Sequence, residues 1–215
     1  ATAQSPIERV VLRYTAGDGL PVNRRLPSFA AGERVVVGHQ EQLARGSIAP
    51  ASIIDWWWGI SDGAGRTKVT QARRSRYLDS RHDWHSTAFR DIRVWWYGSR
   101  EAEAERIGTA AVADMERLED LIGATSGSPV EIVTYASQAD LRPSLVDRGE
   151  TYEARLATLG ARVGPNTLVL DIGSGSEDLE DIIAHELSHL VLHRHLGREY
   201  IDVPAWLDEG LAMYA

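Results

Sequence analysis

The sequence predicts an α+β protein: an all-β module over residues 1–82, then a mixed domain over 83–215 organised around one long helix. Three observations predict it. The first third alternates β-branched and aromatic runs with turns rich in Asp and Gly. Helical spacing of apolar residues begins only near residue 100. The composition is that of a globular chain, 43% hydrophobic and 25% charged over 215 residues, long enough to bury a core without covalent help. The chain has no cysteine, which excludes disulfide staples, thiolate zinc sites and thiol nucleophiles. Its net charge of −8 argues against nucleic acid and against anionic lipid as partners. No apolar run reaches the ~20 residues of a membrane-spanning helix.

In chain order, Ile7 to Thr15 reads as a strand ending at the turn Gly17-Asp18-Gly19. Arg34 to His39 carries a valine run and reads as another strand. Ile53 to Ile60 and Lys68 to Arg73 form a hairpin around Ser61-Asp62-Gly63-Ala64-Gly65. Together these suggest a small sandwich of the immunoglobulin or fibronectin kind, with Trp56 and Trp58 filling its core and Trp57 facing the other way. Ile92 to Tyr97 is one more strand. From Arg100 to Ile122 the spacing turns helical, with Ile107, Ala111, Met115, Leu118 and Ile122 on one face and Gly123 as the stop. Val130 to Tyr135 is a short strand, Gln138 to Val146 a short helix, and Leu168 to Ile172 a strand entering the loop Gly173-Ser174-Gly175-Ser176.

The best-defined helix follows. Ser176 suits its N-cap, Glu177, Asp178, Glu180 and Asp181 crowd its positive end, and Gly197 ends it. A last helix starts near Pro204. The long helix carries His185-Glu186-Leu187-Ser188-His189, an H-E-x-x-H pattern. Residues four apart stack on one helix face about 6 Å along the axis, so two imidazoles can converge on one Zn²⁺. Glu186 then stands beside the metal as a candidate general base for a metal-acidified water. The bland alternative is a helix that happens to carry two histidines.

A catalytic zinc needs a third ligand. His193 lies about 12 Å along the axis from His185, too far for the same ion. His195 has the metzincin spacing, but that family needs a glycine where this chain has Leu192. Both read as surface residues at the negative end of the helix. Glu209, in Trp206-Leu207-Asp208-Glu209-Gly210-Leu211-Ala212, is the remaining candidate. With this stretch, the chain resembles the peptidase-MA-like family of gluzincins, which share their ligand logic with thermolysin and the aminopeptidase-N-like enzymes. The resemblance extends more weakly back to about residue 83. It implies a zincin-like domain over 83–215, preceded, as in many bacterial relatives, by a β-sandwich. It implies His185, His189 and Glu209 as zinc ligands, Glu186 as general base and Asp208 as a partner for a ligand histidine. It implies a peptide or protein substrate, which could lie along the strand Asn166 to Asp171 as on a sheet edge; the alternative is an ordinary hairpin strand.

The chain departs from the family in stopping six residues after Glu209, where gluzincins continue into a mostly helical subdomain that carries the oxyanion-stabilising Tyr or His. Tyr214 is the nearest substitute. The expectation is a piece of a longer protein, truncated at its C-terminal side and inert if the far wall of the cleft is needed. The opening Ala1-Thr2-Ala3-Gln4-Ser5-Pro6 suits what remains after a signal peptide is removed, and an extracytoplasmic location. No Gly-x-Met-Glu-Asn segment of the aminopeptidase-N-like kind is present, which favours an endopeptidase. The tryptophan triplet reads as packing more than as a carbohydrate platform, Arg73-Arg74-Ser75-Arg76 as a solvated strand, and Gly173 to Ser176 as a helix entry without the ending of a phosphate loop. The expected function is zinc-dependent peptide hydrolysis. The alternative is a non-catalytic surface or binding protein with a metal-stabilised zincin scaffold.

Overall fold

The computed structural model describes residues 2–17, 22–123, 127–145, 160–173, 179–196 and 203–214. The expected turn at Asp18-Gly19, the N-cap Ser176 with Glu177 and Asp178, and the stop at Gly197 lie outside these residues, as does the end of the helix expected to reach Val146. The chain divides into two compact units, one of Ala1–Ala44 with Ser52–Tyr77, the other of Arg45–Ala51 with Leu78–Ala215. Leu78 to His82, expected in the first module, group with the second unit. Trp84 Nε1 donates to the carbonyl of Asp79 (2.8 Å), and the His82 ring stacks on Tyr97 at 3.9 Å.

The first unit is all β among its described residues. Its strands are β1 (Thr2–Ala16), β2 (Asn23–Arg25), β3 (Gly32–Arg34), β4 (Ile53–Asp62), β5 (Thr67–Val69) and β6 (Arg73–Arg76). Hydrogen bonds join them into one six-stranded sheet. β1 and β4 form its antiparallel spine, β2 and β3 flank β1, and β5 and β6 flank β4. The β4–β5 turn closes on Asp62, whose Oδ1 accepts from the backbone N–H of Ala64 (3.1 Å) and of Arg66 (3.0 Å). Gly65 there has φ +77°, a conformation costly for any residue with a Cβ. Register puts Trp56 opposite Tyr14 and Trp58 opposite Leu12 on one face, with Trp57 opposite Arg13 on the other.

Two expectations fail in this unit. Trp56 and Trp58 are half-buried rather than central; Trp56 donates to Ser75 Oγ (3.1 Å) and lies under the Arg73 guanidinium. The small core is instead Ile7, Val10 and Val35, packed by Phe29, Val37, Trp58 and Ile60. The valine run is not a strand: β3 ends at Arg34, Val35 is buried and Val36 is 91% exposed. Val35 and Val37 reach the core without a ladder, so packing overrides their strand propensity.

The second unit has a five-stranded sheet in the order β10-β11-β9-β8-β7. Its strands are β7 (Trp84–Phe89), β8 (Ile92–Tyr97), β9 (Val130–Tyr135), β10 (Gly160–Gly164) and β11 (Thr167–Asp171). The pairs β8–β9 and β9–β11 are parallel, and the two edge pairs are antiparallel. Helix α1 (Glu101–Ile122) makes the crossover between β8 and β9. It buries Ala104, Ile107, Ala111, Met115 and Leu118, and ends on Gly123 in the left-handed conformation. Helix α2 (Gln138–Leu141) is shorter than expected. Its N-cap Ser137 accepts from Asp140 N–H, and a 3-10 turn, Arg142–Ser144, follows at Pro143. Helices α3 (Leu179–His195) and α4 (Ala205–Tyr214) complete the unit.

One sheet face, through Ile92, Val94, Ile132, Leu168 and Leu170, packs against α1 and α3; the other, through Val133, Tyr135, Ala161 and Val169, packs against Leu141 and Leu145. β11 is buried along its whole length and reads as a continuous apolar run because both faces are covered. Among the described strands it pairs on both sides, so it is the hairpin strand of the two alternatives and not an edge; the edge on this side is β10, a strand the sequence reading passed over.

Gly108, inside α1, lies against the Phe89 ring. A Cβ there would come within 2.6 Å of Phe89 Cγ. Helix propensity alone makes Gly→Ala stabilising by about 1 kcal/mol, whereas overpacking a fitted core costs about 1–3 kcal/mol. Gly108→Ala is therefore expected to lower stability by ~1 kcal/mol in denaturant unfolding; a gain would show that Phe89 relaxes freely.

Candidate metal centre

The centre is built on α3, whose apolar residues occupy most of its circumference. Ile183, Leu187 and Leu190 are fully buried towards α1 and the sheet. At its C-terminal end Arg194 donates twice to Asn166 Oδ1 (3.0 and 2.6 Å) and once to the carbonyl of Pro129 (3.3 Å). Burial lowers the Arg194 guanidinium to about 10, the nearby Glu119 partly offsetting it. Ser188, inside the H-E-x-x-H pattern, is buried and satisfied by donating to the carbonyl of His185 (2.8 Å). With the helix so fixed, His185 and His189 lie on the side turned away from α1, and Glu186 lies between that side and the buried stripe, towards β10.

α4 brings the third group. Leu207 and Asp208 N–H donate to the carbonyl of Pro204, which starts the helix. His185 Nε2 and His189 Nε2 are 3.2 Å apart; Glu209 Oε2 lies 3.7 Å from the first and 3.9 Å from the second. These three atoms are the one metal-compatible group of His, Asp and Glu among the described residues. Donors about 2.0–2.1 Å from a tetrahedral zinc stand about 3.3 Å apart, so two imidazoles and a carboxylate at these separations fit that ion in both chemistry and spacing. His189 is 15% exposed, His185 32% and Glu209 46%, so the group is walled on the α3 side and open beyond Glu209.

Asp208 Oδ1 accepts from His189 Nδ1 at 2.6 Å. An ionised carboxylate only accepts, so His189 carries its proton on Nδ1 and leaves the Nε2 lone pair towards Glu209 and His185. Burial would raise the Asp208 pKa, but hydrogen bonds and attraction from His189 and His193 outweigh it and hold the carboxyl below its usual range. The second oxygen, Oδ2, meets His193 Nε2 at 3.3 Å. His193 was expected at the surface and is not; its side chain is 13% exposed. The spacing signal was present, since His193 shares the face of His189, but only the position of α4 gives it a partner. His195 is exposed, as expected. Tyr214 is 76% exposed and stands about 140° round the helix from Glu209, away from the centre.

Glu186 is half-buried and accepts a hydrogen bond from the backbone N–H of Arg162 in β10. Gly160 of the same strand gives it room: a Cβ there would sit 2.9 Å from Leu170 Cδ2, 3.0 Å from Ile182 Cγ2 and 3.4 Å from Glu186 Cγ. Burial pushes the Glu186 carboxyl above the usual carboxylate range; the imidazoles of His189 and His185 and the Arg162 N–H offset part of this, and Glu209 adds to it. Sequence reasoning missed β10, although Gly164-Pro165-Asn166 before β11 is a hairpin-turn signal.

Residues 110–215 match the family model of the Peptidase MA superfamily. No curated protein and no solved structure matches the chain.

A raised pKa means that the folded protein holds the Glu186 proton more tightly than the unfolded chain does. Stability then falls as pH rises from the unfolded value, near 4.5, through the folded one. In metal-free protein, Glu186→Gln is expected to melt above wild type at neutral pH, with the gap closing at acid pH. Thermal unfolding in chelator checks this; a variant less stable than wild type at neutral pH would make the carboxylate a structural strut.

Proposed function

We propose, from the match of residues 110–215 to the peptidase MA superfamily model, that the protein is a zinc metallopeptidase of gluzincin type acting on peptide bonds. The observation that carries the reading is the approach of His185 Nε2, His189 Nε2 and Glu209 Oε2 to within 4.8 Å of one another beside Glu186. His185, His189 and Glu209 would hold the ion. When bound, zinc supplies a Lewis acid for the scissile carbonyl and lowers the pKa of water towards about 7. Glu186, oriented by the Arg162 N–H, accepts the proton of the attacking water on its carboxylate and passes it to the leaving nitrogen. Its partial desolvation raises its affinity for that proton, which suits a group that must take and return it. Asp208 keeps the His189 proton on Nδ1 throughout. A non-catalytic scaffold gives no reason for a carboxylate buried and oriented at this point.

The test begins with metal. Chelated and reconstituted protein should take up one zinc per chain. His189→Ala should nearly abolish uptake, and Glu209→Gln should weaken it. Glu186→Gln should keep its zinc while cleavage of a broad peptide library, measured in the full-length protein, falls at least ~10²-fold. Absence of zinc from the reconstituted wild type would overturn the reading. Zinc without any cleavage would leave the scaffold, and loss of zinc from Glu186→Gln would make Glu186 a ligand.

A further inference from the structure

We propose that His193 is a positioning residue for the metal site, completing a bridge His189–Asp208–His193 that fixes the ligand imidazole. The inference rests on the reading that His185, His189 and Glu209 hold the ion. His193 cannot itself be a ligand beside His185, being eight residues and about 12 Å further along α3. It stands one turn beyond His189 on the same face, so Asp208 of α4 meets both rings at once.

Each oxygen of Asp208 has its own imidazole: Oδ1 lies 2.6 Å from His189 Nδ1 and Oδ2 lies 3.3 Å from His193 Nε2. The division matters because the terminal torsion of an aspartate is broad and nearly two-fold. With His189 alone, the carboxylate can swing and exchange its oxygens. With both held, its plane is set, and through it the plane of the His189 ring. Asp208 also precedes Glu209, so the same clamp limits rotation of α4 and steadies the carboxylate that approaches the two Nε2 atoms.

The other nitrogen of His193 supports this assignment. Nδ1 is buried and has no hydrogen-bond partner among the described residues. A buried polar atom left unsatisfied costs stability, and such atoms are retained where the rest of the group has a task. Here the ring makes its bond on the Asp208 side, with Nε2–H donating to the ionised carboxylate.

The experiment is chelator competition for zinc, paired with the melting temperature of the zinc-free protein. Loss of an outer partner of a ligand histidine costs about 10–100-fold in metal affinity. His193→Ala is expected to weaken zinc binding about 10-fold, and His193→Gln, which keeps a donor at a similar reach, to recover most of it. On an Asp208→Ala background His193→Ala should add less than ~2-fold, because its route is gone. The zinc-free melting temperature should differ little between His193→Ala and wild type, which separates positioning from a general loss of packing. Wild-type affinity in His193→Ala, or a full effect surviving on Asp208→Ala, overturns the proposal while the metal reading stands. A wild type that binds no zinc overturns both.

Discussion

Ile183, Leu187 and Leu190 are withdrawn from water on the side of α3 that meets α1 and the sheet, and that burial decides how the helix is turned. Each such side chain is worth about 1.5–3 kcal/mol when removed from solvent, far more than the hydrogen bonds of the polar residues between them. The helix cannot rotate without exposing this stripe. His185 and His189 are therefore carried to the opposite side, where α4 meets them, and Glu186 to the flank that β10 covers. The two hydrogen bonds from Arg194 to Asn166 Oδ1 fix the helix along its length as well as around its axis.

Around that rigid helix the polar groups are arranged by charge. Two imidazole nitrogens 3.2 Å apart with a carboxylate oxygen less than 4 Å from both form a concentration of lone pairs that favours a bound cation. Asp208 adds a second layer. Its carboxylate is held ionised by two histidines despite partial burial, and in return it sets which nitrogen of His189 carries the proton. Five groups on two helices thus depend on one another: the two carboxylates of α4, Asp208 and Glu209, reach the three rings His185, His189 and His193 of α3.

Glu186 shows the opposite balance. It is placed where burial disfavours its charge, beside a backbone N–H that restores part of what water would have given. A strand with Gly160 opposite the carboxylate's own Cγ is what lets helix and sheet edge come so close. The buried carboxylate costs stability locally, an arrangement that would suit the proton acceptor proposed for it.

Local pattern was enough for much of this. The switch from β to helical spacing, the length of α1 with its Gly123 stop, the hairpin at Asp62 to Gly65, and the helix after Pro204 all follow from interactions between residues a few positions apart. The pair His185 and His189 is of the same kind, because four residues on a helix always stack. The family motif around Glu209 pointed to the third group as well. What sequence could not reach depends on contacts between distant segments. Val35 to Val37 resemble a strand, yet only the side chains of Val35 and Val37 enter the core. β11 reads as an exposed edge until β10 pairs with it. His193 reads as a surface residue until α4 lays Asp208 across it. Neighbour spacing is written in the order of residues, so the sequence by itself determined the helices, the stacked histidine pair and the glutamate beside it. Which strand covers which, and which carboxylate meets which ring, is settled by burying apolar faces against one another across the whole chain, and only the tertiary structure decided it.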